Sequence, residues 1–570
     1  MATHAEQDHT NQDDLDILEA TIEALTSAIP IGLNPTNNAA GVGKIVRSLV
    51  TQPQALARQS LGLAGELVKV AAGTSKVSPS DDRRFQDETF TENSVYRRIA
   101  QTYLASSTAV NDLVVDLDLD DKTRLRAELA ATIATSTMAP TNHLLGNPAA
   151  LKEARKTNGR SLVDGFRHAV HDVRNNGSMP SMVDTRPFVH GETIAATPGA
   201  VVFSNSVLEL IQYTPTTAKV YKRPVFIVPP QINKYYILDL APNRSLIEHL
   251  VGSGQQVFCV SWRNVGPEHQ EWDLDTYVTA VLEATDAALD ITKSPDLNLL
   301  GVCAGGITAL AMLGYLTATG DNRISSTTSL VTVIDWEVPS TIGTFMSPAL
   351  ARTVTEMSKR KGVLSGEDLG KLFAWLRPND LIWNYWVNNY LMGKNPPKFD
   401  VLAWNGDSTN LPAGLHKNFV DIAVANAMTK PGAVEVLGTK IDLESITCDT
   451  FVVGAETDHI TPWKACYSTV NLVGGNAEFV LSSQGHIQAL VNPSGNPKGR
   501  FLTNQEAITS DTASDTDEWL EGATEHAGSW WDYWTKWLSS RSGTQKAAPS
   551  TLGNKTNPVG IAAPGSYVLA

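Results

Sequence analysis

One cysteine lies in a sequence context that suits a reactive thiol. Cys303 belongs to the segment 301–306 (GVCAGG), which follows an apolar run and precedes a run compatible with a helix. This is the G-x-C-x-G pattern of a nucleophile elbow, a tight turn from a strand into a helix. Glycine suits that turn because larger side chains would collide with neighbouring backbone. The helix N-terminus would stabilise a thiolate, so we predict that Cys303 is a nucleophile.

The other three cysteines differ from Cys303 because none of them lies in such a turn. Cys259 belongs to the apolar run VFCVSW, and we predict buried structural roles for it, Cys448 and Cys466. The four cysteines form no C-x-x-C pair and no dense array of the kind that small secreted proteins use for disulfides. The sequence therefore predicts reduced thiols and a cytoplasmic location.

A nucleophilic cysteine needs a base and an acid, in the chain order nucleophile, acid, histidine. Of the 12 histidines, only His486 follows a late apolar run, in the segment EFVLSSQGHI. Asp458 follows an earlier apolar run, in the segment FVVGAETDHITPW. We therefore predict a catalytic triad of Cys303, Asp458 and His486, in which His486 is the general base.

The identity of the acid has alternatives at this stage. Asp458 would also suit a cap of the helix that begins near Thr461. Glu456 lies two positions earlier and competes with it, and Asp335 ends another apolar run, SLVTVID. His459 adjoins Asp458, so we predict an assisting role for His459 rather than that of the base.

Acyl transfer also needs two backbone amides that stabilise an oxyanion. The amide after the nucleophile, that of Ala304, supplies the first donor. The second should come from the loop after an early strand, in the segment PVFIVPPQINKYYILDL. Because Pro229 and Pro230 have no N–H, this donor lies near Gln231 or Ile232, and we predict Ile232.

The composition of the whole chain is that of an acidic protein with a large core. The chain has 570 residues, 42% of them apolar, and a formal net charge of −15 with a pI near 5.3. A nucleic-acid-binding protein would normally have a basic face, so we expect no nucleic-acid partner. No apolar run reaches the roughly 20 residues of a membrane-spanning helix, and the polar N-terminus lacks the features of a signal peptide. We assign no residues to a metal ion or to a resident cofactor.

The elements that must position the triad follow from a change of pattern near residue 200. Residues 1–180 have mainly helical patterns. Beyond them, short apolar and β-branched runs alternate with helical segments, which is typical of a parallel βαβ sheet. The predicted strands are 224–228, 256–261, 297–302, 329–334, 450–453 and 478–481.

The predicted sheet domain has two parts separated by an insertion. The first part, 181–335, contains the nucleophile, and the second part, 440–540, contains the acid and the histidine. Between them, residues 336–439 lose the strand pattern and include the aromatic-rich stretch FAWLRPNDLIWNYWVNNYL, which predicts a helical cap. Residues 541–570 form a C-terminal tail.

Five segments together resemble the polyhydroxyalkanoate synthase family: GVCAGG, PPQINKYYILDL, WNYWVNNYL, AETDHITPW and SSQGHIQALVNPSGNP. The resemblance extends from about Asp81 to the closing APGSYV. It implies an α/β-hydrolase fold with a helical cap inserted in the sheet domain and an α-helical N-terminal domain. The segments VLELIQYTPTT, RPNDLIWNYWVNNYL and LGNK resemble the type from pseudomonads that favours medium-chain monomers. Two segments depart from that type: Cys-Ala-Gly-Gly replaces the usual Cys-Ser-Gly-Gly, and WEVPSTIGTF after Asp335 differs.

The resemblance also implies an activity. Members of this family polymerise (R)-3-hydroxyacyl-CoA and release CoA, and the polyester grows as a thioester-bound chain that forms cytoplasmic granules. Cys303 would then be acylated, His486 would be the general base, and Asp458 would orient or assist it, with His459 beside them. CoA is in this case part of the substrate and a product. Family members act as dimers, so the resemblance implies a homodimer in which the cap gates the site, and residues 1–180 are expected to support dimerisation or granule contact.

Two other functions compete with polymerisation. A thiol hydrolase, either a thioesterase or a polymer depolymerase, would use the same triad, and spacing alone does not separate transfer to an alcohol from transfer to water. A non-catalytic granule-coating protein would need amphipathic surfaces but no triad. The family resemblance favours polymerisation over hydrolysis, and the ordered triad residues argue against a coating protein.

Overall fold

The computed structural model describes residues 39–79, 82–345, 348–509 and 515–570. The first 38 residues of the predicted N-terminal domain lie outside this described part. Two compact units divide the chain. Among the described residues, the helical unit comprises those up to Asp184 and Glu367–Phe399, and the sheet unit comprises those of Thr185–Gly366 and Asp400–Ala570.

The helical unit owes its helix boundaries to short polar side chains. The side chain of Asn93 accepts hydrogen bonds from the amides of Val95 and Tyr96, and that of Asp120 accepts one from Thr123. Such caps satisfy amides that have no partner within the helix. The α-helices of this unit are Ala39–Thr51, Pro53–Ala72, Thr89–Glu92, Ser94–Asp116, Asp121–Thr137, Pro148–Lys156, Arg160–Asn175 and Gly366–Leu376, and the π-helical turns are Asn379–Trp383 and Trp386–Leu391.

The aromatic-rich stretch of the predicted cap packs within the helical unit. The indole N–H of Trp386 donates to the backbone oxygen of Asn142 at 3.0 Å, and the hydroxyl of Tyr390 donates to Asp172 at 2.9 Å. Residues 367–399 therefore group with the N-terminal helices, whereas the rest of the predicted cap belongs to the sheet unit. The domain boundaries drawn from the sequence remain predictions.

The sheet unit is built on a ten-stranded mixed sheet. In chain order its strands are β1 Gly199–Ser204, β2 Leu208–Tyr213, β3 Val225–Val228, β4 Val257–Trp262, β5 Leu297–Val302, β6 Ile324–Leu330, β7 Asp449–Ala455, β8 Ala477–Ser482, β9 Arg500–Thr503 and β10 Thr524–Ala527. Their order across the sheet is β1-β2-β4-β3-β5-β6-β7-β8-β9-β10. Neighbours from β4 to β8 are parallel, and the outer strands pair antiparallel.

Helices connect the parallel strands, as parallel pairing requires. The helices of the sheet unit are Leu246–Gly252, Leu274–Thr292, Ala304–Ala318, Pro348–Lys361, Asp400–Gly406, Ala413–Ala425, Trp463–Leu472, His486–Leu490, Gln505–Thr509, Thr516–Glu521 and Trp530–Arg541. Among the described helices, none combines the length and apolar character needed to cross a bilayer.

Five of the six predicted strands are present with nearly the same bounds, but the strand predicted at 329–334 is wrong in position. The observed strand β6 is Ile324–Leu330, and its residues Ser326, Thr327 and Thr328 are buried. Because these side chains are polar, a prediction based on runs of apolar residues does not detect this part of the strand. They fit a central strand because small and β-branched side chains pack well there, and the Ser326 hydroxyl donates to Asn298 at 2.8 Å.

Candidate active site

The structure places Cys303 at a sharp turn between β5 and the helix Ala304–Ala318. Its backbone has φ 50° and ψ −123°, a conformation that residues other than glycine rarely adopt. The amide of Cys303 donates to the backbone oxygen of Leu330, the last residue of β6, at 2.9 Å. A strained turn of this kind, held by the neighbouring strand, presents the side chain at the carboxyl end of the sheet.

The glycines of the turn are required by close backbone contacts. A Cβ atom on Gly305 would lie 2.2 Å from the backbone oxygen of Pro229 and 2.5 Å from that of Val228. A Cβ atom on Gly301 would lie 2.7 Å from Cα of Gly306. The helix after Cys303 can therefore approach the end of β3 only because residue 305 has no side chain.

A buried histidine and a buried aspartate form a close pair in the sheet unit. Asp458 follows β7, and His486 follows β8 and begins the helix His486–Leu490. Nδ1 of His486 lies 2.7 Å from Oδ2 of Asp458. Because a carboxylate only accepts hydrogen bonds, Nδ1 of His486 carries a proton and donates a hydrogen bond to Asp458. This tautomer leaves Nε2 of His486 for another partner.

Thr461 joins this pair, although no sequence pattern pointed to it as a site residue. Its hydroxyl donates to Oδ2 of Asp458 at 2.7 Å and lies 3.0 Å from Nδ1 of His486. The amides of Thr461 and Ile460 donate to Oδ1 of Asp458 at 2.9 and 2.8 Å. Asp458 thus closes the turn that precedes the helix Trp463–Leu472 and also contacts His486. It does not cap that helix, whose N-cap residue is Pro462, so the capping role considered from the sequence is wrong.

The charges of the pair stabilise each other. Burial alone would raise the pKa of Asp458, but the charge of His486 and hydrogen bonds from His486 and Thr461 outweigh burial and lower it. Burial would lower the pKa of His486. The charge of Asp458 and the hydrogen bond to Asp458 raise that pKa, and a hydrogen bond with Cys303 and the charge of the Cys303 sulfur raise it more weakly. The thiol of Cys303 therefore lies beside the histidine that contacts Asp458.

The stability that this pair contributes is expected to depend on pH. The contribution of Asp458, whose pKa is lowered, is complete above its ordinary value of 3.8 and is lost as the pH falls through the folded value. The contribution of His486, whose pKa is raised, is complete below its ordinary value of 6.5 and is lost as the pH rises through the folded value. The difference in melting temperature between the native protein and Asp458→Asn should therefore shrink from pH 6.5 to pH 9.

A suitable control for this measurement is Asp296→Asn. Asp296 pairs with Arg223 at 2.6 Å elsewhere in the sheet unit. Because arginine keeps its charge over this range, the loss of melting temperature in the control should be nearly constant with pH. A difference for Asp458→Asn that stays constant or grows between pH 6.5 and 9 would contradict the raised pKa of His486.

The other acids considered from the sequence lie in different surroundings. Glu456 is exposed and pairs with Arg500 at 3.1 Å. Asp335 accepts hydrogen bonds from Asn426 at 2.9 Å and from the hydroxyl of Ser468 at 3.1 Å. Neither acid takes the place of Asp458 beside the histidine.

The remaining predicted site residues belong to three different segments of the sheet unit. Ala304 is buried as the first residue of the helix after Cys303, and His459 is half-buried next to Asp458. Ile232 is half-buried in the loop after β3, the loop whose Pro229 oxygen lies against Gly305.

The four cysteines are all free and differ in exposure. Cys259 and Cys466 are fully buried, and burial raises the pKa of each thiol well above its ordinary value. Burial also raises the pKa of Cys448, to about 11. Cys303 and Cys448 are both only partly buried, so the buried position predicted for Cys448 is wrong. In the part of the chain that the structure describes, no three His, Cys, Asp or Glu side chains cluster as metal ligands.

The strand order and the positions of these residues define a class of protein. Parallel strands β4 to β8 are followed by the sharp turn at Cys303 after β5, by Asp458 after β7 and by His486 after β8. The family model described as "alpha/beta hydrolase fold" matches residues 224–493, and we therefore place the sheet unit in this fold class, as predicted.

Further comparisons cover nearly the whole chain. The family model described as "Poly-beta-hydroxybutyrate polymerase (PhaC) N-terminus" matches residues 81–250. The chain is 45% identical to poly(3-hydroxyalkanoate) polymerase 1 of Ectopseudomonas oleovorans over 94% of this chain and 95% of that protein. It is 44% identical to polymerase 2 of that organism over 97% of this chain and 98% of the relative. The corresponding identity to the polymerase subunit PhaC of Cupriavidus necator is 38%, over 86% of this chain and 84% of that subunit.

The chain belongs to the poly(3-hydroxyalkanoate) polymerase family. It is more similar to the two Ectopseudomonas oleovorans proteins than to the Cupriavidus necator subunit. The family expected from the sequence is thereby confirmed.

Proposed function

We propose that this protein polymerises (R)-3-hydroxyacyl-CoA into a polyester and releases CoA, with the growing acyl group held as a thioester on Cys303. The observation that carries the proposal is the partly buried Cys303 at a strained turn beside the paired His486 and Asp458. Membership of a family whose relatives are named poly(3-hydroxyalkanoate) polymerases supports the choice of substrate.

Each residue of the site has a role in this proposal. Asp458 orients His486 and stabilises its charged form, and His486 takes the proton of Cys303. The thiolate attacks the thioester carbonyl, the C–S bond to CoA breaks, and the CoA thiolate takes a proton from His486. In the second step His486 takes the proton of the 3-hydroxyl that attacks the acyl group on Cys303. The ester bond forms, the C–S bond to Cys303 breaks, and the Cys303 sulfur takes the proton back from His486. The lengthened chain, which carries the CoA thioester of the monomer that supplied the hydroxyl, then acylates Cys303 again. His459 assists this pair.

The amides of Ala304 and Ile232 are the proposed oxyanion donors. A negative charge develops on the carbonyl oxygen when the thiolate attacks and again when the hydroxyl attacks. Two amides held at hydrogen-bond distance from that oxygen stabilise both tetrahedral species, and loss of one such donor costs about 10²- to 10³-fold in rate in related chemistry.

Sulfur suits this reaction better than oxygen does. A serine nucleophile would convert the CoA thioester into a less reactive oxygen ester. A thiolate exchanges one thioester for another, so the acyl group stays reactive until the next hydroxyl attacks it. Water would end growth by hydrolysis, and exclusion of water from the site is the role that we propose for the cap.

The partners follow from the same proposal. CoA is part of the substrate and a product, and we propose no metal ion and no resident cofactor. The growing polyester and the surface of a cytoplasmic granule are the further partners, and the active form is a homodimer. Similarity to the medium-chain type favours longer monomers. Residues 1–180 would support dimerisation or granule contact.

The test compares 3-hydroxybutyryl-CoA with a longer 3-hydroxyacyl-CoA as substrates of the native protein. Release of CoA is followed with a thiol reagent, and the products are separated into insoluble polyester and free hydroxy acid. We expect CoA release with insoluble polyester, and a faster reaction of the longer substrate. Free hydroxy acid without polymer would make the protein a thioesterase, and absence of CoA release would reject both activities.

A further inference from the structure

The loop 229–234, which carries Ile232, is held by side chains from a later part of the sheet unit. The hydroxyl of Thr409 donates to the backbone oxygen of Gln231 at 2.8 Å. The indole N–H of Trp404 donates to the backbone oxygen of Lys234 at 2.7 Å. Both donors are buried and lie in residues 400–409, so the backbone oxygens on each side of Ile232 are fixed by one segment.

The same segment holds the loop through an ion pair in which the lysine is buried and the aspartate is half-buried. Nζ of Lys234 lies 2.8 Å from Oδ1 of Asp407, and the Lys234 side chain is 7% exposed. Nζ also donates to the backbone oxygen of Val568 at 2.6 Å. Asp407 accepts a further hydrogen bond from the hydroxyl of Tyr236 at 2.9 Å and lies 3.2 Å from Nε2 of His190.

Asp407 is ionised in these surroundings. Burial alone would raise its pKa, but hydrogen bonds from His190 and Lys234, the charge of Lys234 and the hydrogen bond from Tyr236 outweigh burial and lower the pKa. Without Asp407, the buried Lys234 ammonium would keep only the backbone oxygens of Val568 and Ala570 as acceptors, so we expect the end of the loop to rearrange.

The opposite side of the loop lies against the helix that follows Cys303. The side-chain amide of Gln231 donates to the hydroxyl of Thr308 at 2.9 Å, and both residues are buried. The backbone oxygen of Pro229 is the nearest atom to the absent side chain of Gly305. The loop 229–234 is thus clamped between residues 400–409 and the first turns of this helix.

We propose that Thr409 and Asp407 are positioning residues that keep the Ile232 amide aligned as the second oxyanion donor. The inference rests on the proposed function. Thr409 fixes the peptide unit between Gln231 and Ile232, because that unit carries both the bonded oxygen and the Ile232 N–H. Asp407 fixes the end of the loop through Lys234. An oxyanion donor must lie within about 2.7–3.1 Å of the developing charge, so a small rotation of this peptide weakens it.

A comparison of two reactions of Cys303 tests the proposal. Acyl transfer from 3-hydroxyacyl-CoA forms an oxyanion, whereas alkylation of the thiol by iodoacetamide is a direct displacement that forms none. Both reactions need the thiolate and an accessible turn. Loss of the oxyanion donor alone should therefore slow the first reaction and spare the second.

The main variant is Thr409→Val, which keeps the shape of the side chain and removes its donor. We expect kcat for CoA release to fall about 10- to 100-fold, with KM within about threefold of the native value. The rate of alkylation of Cys303 should stay within about twofold, because that displacement forms no oxyanion. Thr409→Ser keeps the hydroxyl and should restore most of kcat. Asp407→Asn is a second variant, with the same expected pattern.

Asp296→Asn is the matched control for a lost ion pair. Asp296 precedes β5 and Cys303 follows it, so the six residues of the strand separate them by about 20 Å. The control should lower the melting temperature without lowering kcat.

Three outcomes would overturn the positioning role. These are an unchanged kcat in Thr409→Val and Asp407→Asn, an equal fall in acyl transfer and alkylation, and a failure of Thr409→Ser to restore activity. A native protein that releases no CoA would instead reject the proposed function, so the two failures are distinguishable.

Discussion

Replacing Cys303 with alanine is expected to abolish both CoA release and polymer formation. The change removes the atom that carries the acyl group in both steps of the proposed reaction. No other thiol can replace it, because Cys259 and Cys466 are fully buried and burial raises the pKa of Cys448 to about 11. The rate of CoA release should fall by at least about 10⁴-fold, the scale of loss when a nucleophile is removed from a triad.

The intact mass of the protein gives a second measurement of the same prediction. Brief incubation with 3-hydroxyacyl-CoA should add the mass of the acyl group to the native protein and leave Cys303→Ala unchanged. Cys448→Ala is the matched control, since Cys448 precedes β7 and lies outside the turn. This control should be acylated and should release CoA at nearly the native rate. An acyl adduct that persists in Cys303→Ala would place the carrier elsewhere.

The turn around Cys303 could be predicted from the sequence because its physical requirements fall on consecutive residues. A Cβ atom on any glycine of GVCAGG would clash with neighbouring atoms, and the apolar run before this segment is the buried strand β5. His486 and Asp458 could be predicted as well, since each follows an apolar run that forms a parallel strand. Parallel strands end at the same edge of a sheet, so chain order brings the two residues together.

Other features could not be predicted because they depend on contacts between distant residues. No sequence motif marks Thr461, and only the structure shows that its hydroxyl contacts both Asp458 and His486. The strand β6 is polar in sequence, yet its serine and threonine residues other than Ser325 are buried in the centre of the sheet. The aromatic stretch of the predicted cap contacts helices more than 200 residues earlier in the chain. The local spacing of apolar residues does not indicate which distant helices a segment packs against.

Replacing His486 with glutamine is expected to lower the rate of CoA release about 10⁴- to 10⁶-fold, as removal of the base does in comparable triads. Glutamine keeps an amide that can donate to Asp458, but it cannot take a proton from Cys303 or from the incoming hydroxyl. Alkylation of Cys303 by iodoacetamide should fall too, because this reaction needs the thiolate that His486 stabilises.

A second buried histidine provides the control for this variant. His416 lies 2.8 Å from the hydroxyl of Ser358, and burial lowers the pKa of His416 to about 4. His416→Gln should lower the melting temperature and leave the alkylation of Cys303 unchanged. Native rates of CoA release and alkylation in His486→Gln would exclude His486 as the base.

The two readouts together separate proton transfer from oxyanion stabilisation. His486→Gln removes the base, so it should slow both alkylation and acyl transfer. Thr409→Val acts on the loop that carries Ile232, so it should slow acyl transfer alone. If both variants slowed both reactions equally, the loop 229–234 would support the turn around Cys303 rather than the oxyanion. If the two variants differ in this way, His486 stabilises the negative charge on the Cys303 sulfur, and the loop 229–234 stabilises the negative charge that develops on the carbonyl oxygen.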